Sequence, residues 1–489
     1  MRGILVFFVF VASLAAEPYV VHDLLIGASS QYSRDPGWKP GKELALEVSG
    51  IDILPNGDPI LCIRKGEVYI VKNAYGEGAP IFHRFASGLH EPLGVKVIDE
   101  QIYVTQRTEI TQLKDRDGDG LADTYLSHGG QWGVSGNYHE YAYGPAMDGQ
   151  GRMWVTLNIG MGKDASPYAP WRGWGGVIDE AGVFQPMCAG MRSPAGLAAN
   201  ALGDVFAIDH QGNWFGTCPL YRLREGAFYG HQESLAGLQL PGAPRMDLGT
   251  LANGVPFPEA VAKMPALVPP AVWFPYEKTA RGLTGITLDD TDGAFGPFAG
   301  QFFIGEFTQA AICRVFLEKV NGEYQGACFR FREGFPSAVL CSTFGKAGHL
   351  FVGMSNRGWS SLGSASYGLQ RLTYTGETPF EMKEMRATAK GFDLVFTQPV
   401  DVKTAMDPAS YRMSAYTYKY HKGYGSPEID TKDLVITPYA LSPDGLQVHL
   451  QVDGRRELYV HELHADGIRN RAGQPLLHPD AYYTLNAIP

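Results

Sequence analysis

Between residues 47 and 374 the chain is a succession of short apolar stretches cut by small Gly, Asp and Asn turns. Period-2 alternation is plain in Glu67-Val68-Tyr69-Ile70-Val71, the signature of a strand with one face buried. The pattern repeats loosely over 47–73, 88–115, 139–160, 192–226, 282–322 and 334–374. Each unit has an apolar strand, a turn such as PNGD, DGQG, ALGD or KAGH, then a strand such as MWVTL, VFAID or LFVGM. Helical periodicity is nearly absent, and only 257–266 predicts a short helix. About six units of four short strands predict an all-β chain folded as a six-bladed β-propeller. An array of β-sandwiches is the alternative, and the long, irregular inter-strand loops favour the propeller.

The texture changes after Thr375. Alternating strands continue at 391–396 and 447–452 and around Tyr459 and Tyr482, with turns such as Ser442-Pro443-Asp444-Gly445, but the repeat stops. These features predict a small immunoglobulin-like β-sandwich over 375–489. At the other end, Arg2, the apolar run 4–12 and the small residues Ala15 and Ala16 read as a secretory signal peptide over 1–16, cleaved near Ala15/Ala16. A propeller over 17–374 completes the expected division. The mature chain is expected to be exported, periplasmic or extracellular, because the 4–12 run falls short of the ~20 apolar residues that a membrane-spanning helix needs.

Composition narrows the partners. A formal net charge of -10 argues against nucleic acid and against an anionic membrane surface. The cysteines, Cys62, Cys188, Cys218, Cys313, Cys328 and Cys341, form no CxxC or CxxCH. That excludes covalent c-type haem and disfavours a cysteine zinc site. Fifteen full disulfide pairings are open, as is a set of buried free thiols.

Three stretches carry candidate chemistry. Asp115, Asp117, Asp119 and Asp123, with Gly120 between them, match the spacing of a calcium loop in which the Leu121 carbonyl is a further ligand. Position 12 would be Leu126, so the usual bidentate Glu is missing; an acidic surface turn is the plain alternative. His139 lies in a Gly/Asn/Tyr-rich loop beside Glu140, where its near-neutral pKa suits a general base or a structural hydrogen bond. Arg192, on the Gly/Pro turn Gly190-Met191-Arg192-Ser193-Pro194, precedes a polar run from Asp209 through His210 to Asn213. Arginine there suits anion recognition, or a clamp on loop carbonyls.

Taken in order, HEYAYGPAMDGQGRMWVTLN, GMRSPAGLAANALGDVFAIDHQGNW and LYRLREGAFYGHQ resemble the glucose/sorbosone dehydrogenase family over roughly 45–374. The endings NRGWSSLGSASYGLQRLTYTGETPFEM and YKYHKGYGSPEID resemble an environmental-bacterial branch of it, and the tail resembles bacterial Ig-like domains. Members are secreted six-bladed propellers holding pyrroloquinoline quinone (PQQ) at the axis. The resemblance implies that His139 takes the substrate hydroxyl proton and that Arg192 stabilises the quinone oxyanion. It also implies a PQQ site including Arg192, Ser193, Asp209, His210 and Asn213, and a calcium ion polarising the quinone.

The departures are specific. The family's Arg-Asn pair is Arg192-Ser193 here, and its carboxylate-rich calcium segment is His210-Gln211-Gly212-Asn213-Trp214. The loop at 115–123 sits in a different blade, and Lys278 is the candidate for the cofactor-binding lysine. Three readings follow. The first is a PQQ- and calcium-dependent dehydrogenase of a sugar or aldose, passing electrons to a separate acceptor such as a cytochrome. The second is a cofactor-free hydrolase or lyase using His139, His210 and Glu140 or Asp209, with Trp132, Trp214 and Trp359 stacking on sugars. The third is a non-catalytic module that binds glycan or protein.

Overall fold

The computed structural model describes residues 17–27, 45–76, 78–162 and 169–489; the expected signal peptide, 1–16, lies outside them. The fold is all-β with few helices, in a β-propeller arrangement of antiparallel sheets. N-terminal strand β1 (Tyr19–Ile26) stands apart from its sequence neighbours. The first sheet takes β2 (Val48–Ile53), β3 (Pro59–Ile63), β4 (Glu67–Lys72) and β5 (Ile81–Ala86). The second takes β6 (Val95–Ile98), β7 (Gln101–Thr105), β8 (Ile110–Lys114) and β9 (Thr124–Gly129). The third is β10 (Ala142–Met147), β11 (Met153–Leu157), β12 (Trp174–Ile178) and β13 (Phe184–Ala189). The fourth is β14 (Gly196–Ala199), β15 (Val205–Ile208) and β16 (Cys218–Arg222), joined past β17 (Val255–Pro256) by β18 (Val272–Phe274).

The next four strands, β19 (Leu283–Leu288), β20 (Phe302–Glu306), β21 (Ala311–Val320) and β22 (Glu323–Arg332), are not a separate sheet. The last propeller sheet is β23 (Val339–Phe344), β24 (Leu350–Ser355) and β25 (Tyr367–Tyr374), completed by β1, whose Tyr19 lies opposite Tyr374. The expectation of six separate blades is therefore corrected to five free-standing four-stranded sheets. The remaining group, β19–β22, opens an eleven-stranded sheet that runs on into the tail.

The tail consists of β26 (Met382–Ala387), β27 (Gly391–Phe396), β28 (Arg412–Thr417), β29 (Lys419–Tyr420), β30 (Ile429–Leu441), β31 (Gln447–Asp453), β32 (Tyr459–His464) and β33 (Asp480–Leu485). β33 pairs with β22, Gly326 to Thr484 and Cys328 to Tyr482. The long β30 pairs with β28 along its first half and β31 along its second. The tail is therefore hydrogen-bonded to the propeller's β19–β22 group through β22 and β33. The physical cause is the open edge of β22, whose backbone groups need partners that β33 provides.

Packing explains the glycine content near the axis. A Cβ on Gly94 would come within 1.9 Å of the Gly144 carbonyl, one on Gly196 within 2.6 Å of the Thr284 carbonyl, and one on Gly285 within 2.8 Å of the Leu340 carbonyl. The innermost strands of neighbouring sheets approach so closely there that only glycine fits. The apolar core is continuous with the tail. Phe206, Phe274 and Cys328 share one cluster with Tyr416, Tyr420 and Tyr482, and Phe316 and Phe329 share another with Phe392, Leu450 and Tyr483. All six cysteines are buried free thiols, the alternative to disulfides. The short helix expected at 257–266 is present as Phe257–Lys263. Among the described residues no helix is long and apolar enough to cross a membrane.

Candidate active site

In an antiparallel sheet, the start of the innermost strand and the end of the second strand lie at the same end. The loops there converge on one cavity of about 580 Å³, a size that admits a small organic ligand. His139 comes from the loop entering β10, Arg192 and Ser193 from the loop entering β14, and Arg281 from the loop entering β19. His210 and Gln211 follow β15, Thr308 follows β20, and Trp359 follows β24. The structure thus brings together His139, Arg192, Ser193 and His210, which the sequence spreads over seventy positions.

The His139 loop is held by two buried arginines. The Arg107 guanidinium donates to the carbonyls of Asn137 (3.3 Å), Tyr138 (2.8 Å) and Glu140 (3.3 Å), and to the Glu91 carboxylate (2.8 Å). Arg172 donates to the carbonyls of Gly133 (2.6 Å), Tyr141 (2.8 Å) and Arg107 (3.2 Å). Asn137 Oδ1 accepts from the backbone N–H of His139 and of Met161, which ties the loop to the end of β11. The Tyr138 ring meets the imidazole edge-on at 5.4 Å. With the backbone so fixed, His139 Nδ1 is buried and makes no hydrogen bond. Burial, then the charges of Arg192 and Arg107, lower its pKa, so the imidazole is neutral at pH 7.

Arg192 is fixed from behind by Asp209. One Asp209 oxygen accepts from Arg192 N and the other from Ser193 N, both at 2.7 Å, and the latter also accepts from His210 N. Burial pushes the Asp209 pKa up to about 6, against those three donors. The Arg192 side chain lies across Gly212, where a Cβ would come within 2.2 Å of its Nε. It donates to the Gln211 carbonyl at 3.4 Å. Its Nε is buried without a partner, and Arg192 forms no ion pair among the described residues. The residue is 9% exposed, so this is a nearly buried cation with spare donor capacity. His210 Nε2 lies 2.5 Å from the Leu283 carbonyl, and burial lowers its pKa to about 4.

Other expected residues lie elsewhere. Asp209 is enclosed behind the cavity wall, and Asn213 donates to the Lys422 carbonyl. Glu140, 1% exposed, accepts from the backbone and hydroxyl of Ser135. Lys278 is paired with Glu428 and Glu462. Trp132 donates to the Arg107 carbonyl and Trp214 to Glu233; only Trp359 of the three tryptophans lines the cavity. Among the described residues no carboxylate lines it. Sequence reasoning missed Tyr276, Arg281, Thr308, Ser360 and Tyr424, because nothing local says which loops share an end of the ring. Tyr424 lies within the tail motif YKYHKGYGSPEID, and nothing in that stretch indicates that the tail reaches the cavity.

The residue set can be weighed against the groups the resemblance implies. The unpartnered Arg192 Nε and His139 Nδ1, a second arginine and the aromatic walls fit a planar anion such as PQQ. Among the described residues no carboxylate is there for a calcium ion beside it, which would have to take neutral oxygens such as those of Gln211, Thr308 and Ser360. The separate loop at 115–123 connects β8 to β9 on the outer edge of its sheet. Asp115, Asp117 and Asp123 place carboxylate oxygens within 4.8 Å of one another. Asp119 is not among them and accepts from Leu121 N.

No protein-family model matches the chain, and no curated protein matches it. Solved structures do. A glucose dehydrogenase is 18% identical over 72% of this chain and 98% of its own, with a TM-score of 0.48. The PQQ-bound aldose sugar dehydrogenase of Streptomyces coelicolor is 14% identical, over 73% and 99%, at 0.44. A Trichoderma reesei carbohydrate-active enzyme of family AA12 is 13% identical, over 74% and 97%, at 0.47. The chain is similar to sugar dehydrogenase-like propellers.

Proposed function

We propose that this propeller oxidises a hydroxyl of a sugar or aldose, with His139 as the base and Arg192 as the fixed positive charge. One observation carries the reading. His139 Nδ1 and Arg192 Nε are buried polar atoms without partners, and both belong to residues lining one cavity. An orphaned buried polar atom is costly, and a ligand that pairs with it removes the cost.

Alcohol oxidation needs an acceptor for the O–H proton, stabilisation of developing negative charge and a sink for two electrons. The neutral His139 meets the first need, because its lowered pKa leaves the ring nitrogen free to accept. Arg192 meets the second: its position is set by Asp209 and Gly212 before any ligand arrives, so little reorganisation is needed. PQQ, when bound, supplies the two-electron acceptor that no side chain here can provide. Arg192, Arg281, Ser193 and His210 would hold it, the arginines meeting its carboxylates and carbonyl oxygens. A separate acceptor such as a cytochrome then completes turnover, in keeping with the proposed export.

Glycoside hydrolysis by a carboxylate pair lacks support, since no described carboxylate faces the cavity. The test is a titration of the purified protein with PQQ, followed calorimetrically and by dye-linked oxidation of a sugar panel. Stoichiometric binding with sugar-dependent dye reduction is expected. A cavity that binds no quinone and reduces no dye would end the reading.

A further inference from the structure

We infer that the C-terminal segment is part of the binding site: Tyr424 is an aromatic wall on which one face of a pyranose ring stacks, and it sets which saccharides the cavity accepts. The inference rests on the sugar-oxidising reading above.

Loop 421–426 is stapled to the propeller on the segment that lies under Arg192. Trp214 N donates to the His421 carbonyl at 3.0 Å, Asn213 Nδ2 to the Lys422 carbonyl at 2.9 Å, and Gly425 N to the Gly212 carbonyl at 2.9 Å. Ser426 N donates to the Gly216 carbonyl at 3.0 Å. Just before the loop, Tyr420 is buried and donates to the Gly230 carbonyl at 2.7 Å, while β29 pairs with β17. His421 braces the loop from within, through the Gly425 carbonyl and Gly423 N.

Tyr424 is therefore held by its backbone, yet its side chain is open: the residue is 67% exposed. Its ring lies 5.2 Å from Arg192 Cζ and borders the same cavity as His139. The guanidinium meets one face of the ring, and most of the residue remains exposed. A rigidly mounted tyrosine loses little entropy on binding. Trp359 offers a second wall, propped by Phe307 at 4.2 Å and donating to Thr308 Oγ1 at 2.7 Å. The C–H bonds on one face of a pyranose carry partial positive charge and meet the negative face of an aromatic ring. Thr308, Ser360 and Gln211, which line the same cavity, suit the hydroxyl rim of such a ring.

The full-length protein and its Tyr424→Ala and Tyr424→Phe variants are compared on mono- and disaccharides in the dye-linked assay. Calorimetric binding of methyl glycosides is measured in parallel. Tyr424→Ala is expected to raise KM about tenfold with kcat changing less than threefold, the signature of lost substrate binding, and to weaken glycoside binding equally. Tyr424→Phe should restore both. Unchanged KM and binding across the panel in Tyr424→Ala would overturn the inference. If the wild type oxidises no sugar, the reading of the reaction falls, and the glycoside titration still decides the wall. Binding that Tyr424→Ala loses supports it, and a wild type that binds no glycoside refutes it.

Discussion

Replacing Arg107 with Met removes the group that grips the His139 loop while keeping its approximate length. Arg107 and Glu91 side chains are 10% and 16% exposed, so their pair at 2.8 Å is largely out of water. Stripping one partner from a buried pair costs about 3–5 kcal/mol. The low end applies, because Glu91 keeps Arg64 at 3.1 Å. The short bond to the Tyr138 carbonyl is charge-assisted, worth about 1.5–3 kcal/mol in isolation, but a carbonyl beside the exposed Tyr138 can turn to water. The expected loss is about 3–4 kcal/mol, or roughly 6–8 °C at the ~2 °C per kcal/mol seen for large domains. The loss also depends on pH. Burial pushes the Glu91 carboxyl up, but Arg64 and Arg107 more than reverse this and hold it below its ordinary value. Its stabilisation is complete above the unfolded pKa and drains as the pH falls through the lower, folded one, so the two proteins converge only once the pH is below that folded value. Catalytically, a ~1 Å shift of the base costs on the order of 100-fold in rate. Because the Arg107 charge helps depress the His139 pKa, the acid limb of the residual activity should also move to higher pH. Thermal melts and the pH dependence of kcat/KM decide this. A wild-type melting temperature would refute the energetics, and lost stability with an unmoved rate and acid limb would show that Arg107 does not position His139.

Other expectations follow from the same geometry. His139→Gln should abolish dehydrogenase turnover while leaving the near-ultraviolet circular dichroism unchanged, and retained turnover would remove the base assignment. As the pH drops below 6.5, unfolded chains take up a proton at His210 that the folded protein refuses until about pH 4. This site alone should lower stability by on the order of 3 kcal/mol across that window, and His210→Gln should flatten the fall. Asp209→Asn turns an amide donor toward backbone N–H groups that need acceptors. It should cost about 2–3 kcal/mol by denaturant titration and weaken quinone binding; a neutral result would show that Asp209 does not set Arg192. If the 115–123 loop holds calcium, a chelator should lower the melting temperature by a few degrees, and calcium should restore it. A chain ended at residue 375 bares the β22 edge with Phe316 and Phe329, so it should aggregate. A monodisperse truncated propeller would support a domain boundary after residue 374.

The sequence carried the strands that alternate strongly. The repeat units cover β2–β4, β6–β8 and β23–β25, but they stop before the outer strands. β9, for example, is mostly exposed over Thr124–His128 and shows no apolar alternation to read. His139, Arg192 and His210 were legible because each follows or precedes a recognisable strand in a motif that resembles a known family. Arg107 and Arg281 were not, since their roles depend on carbonyls and loops brought together only by ring closure. The β22–β33 pairing was equally hidden. Tyr482, Tyr483 and Thr484 read as an ordinary strand, and no local feature says whose edge they join.

The pairing of β1 with β25 has a consequence for the order in which the protein forms. Tyr19 is synthesised more than three hundred residues before its partner, Tyr374. The ring cannot close while synthesis is under way, and β22 has no cover until β33, the final strand, is made. Contacts this distant in sequence are slow to form. The newborn protein must therefore pass through a long interval with both seams open, in which edge-to-edge association between chains competes with closure.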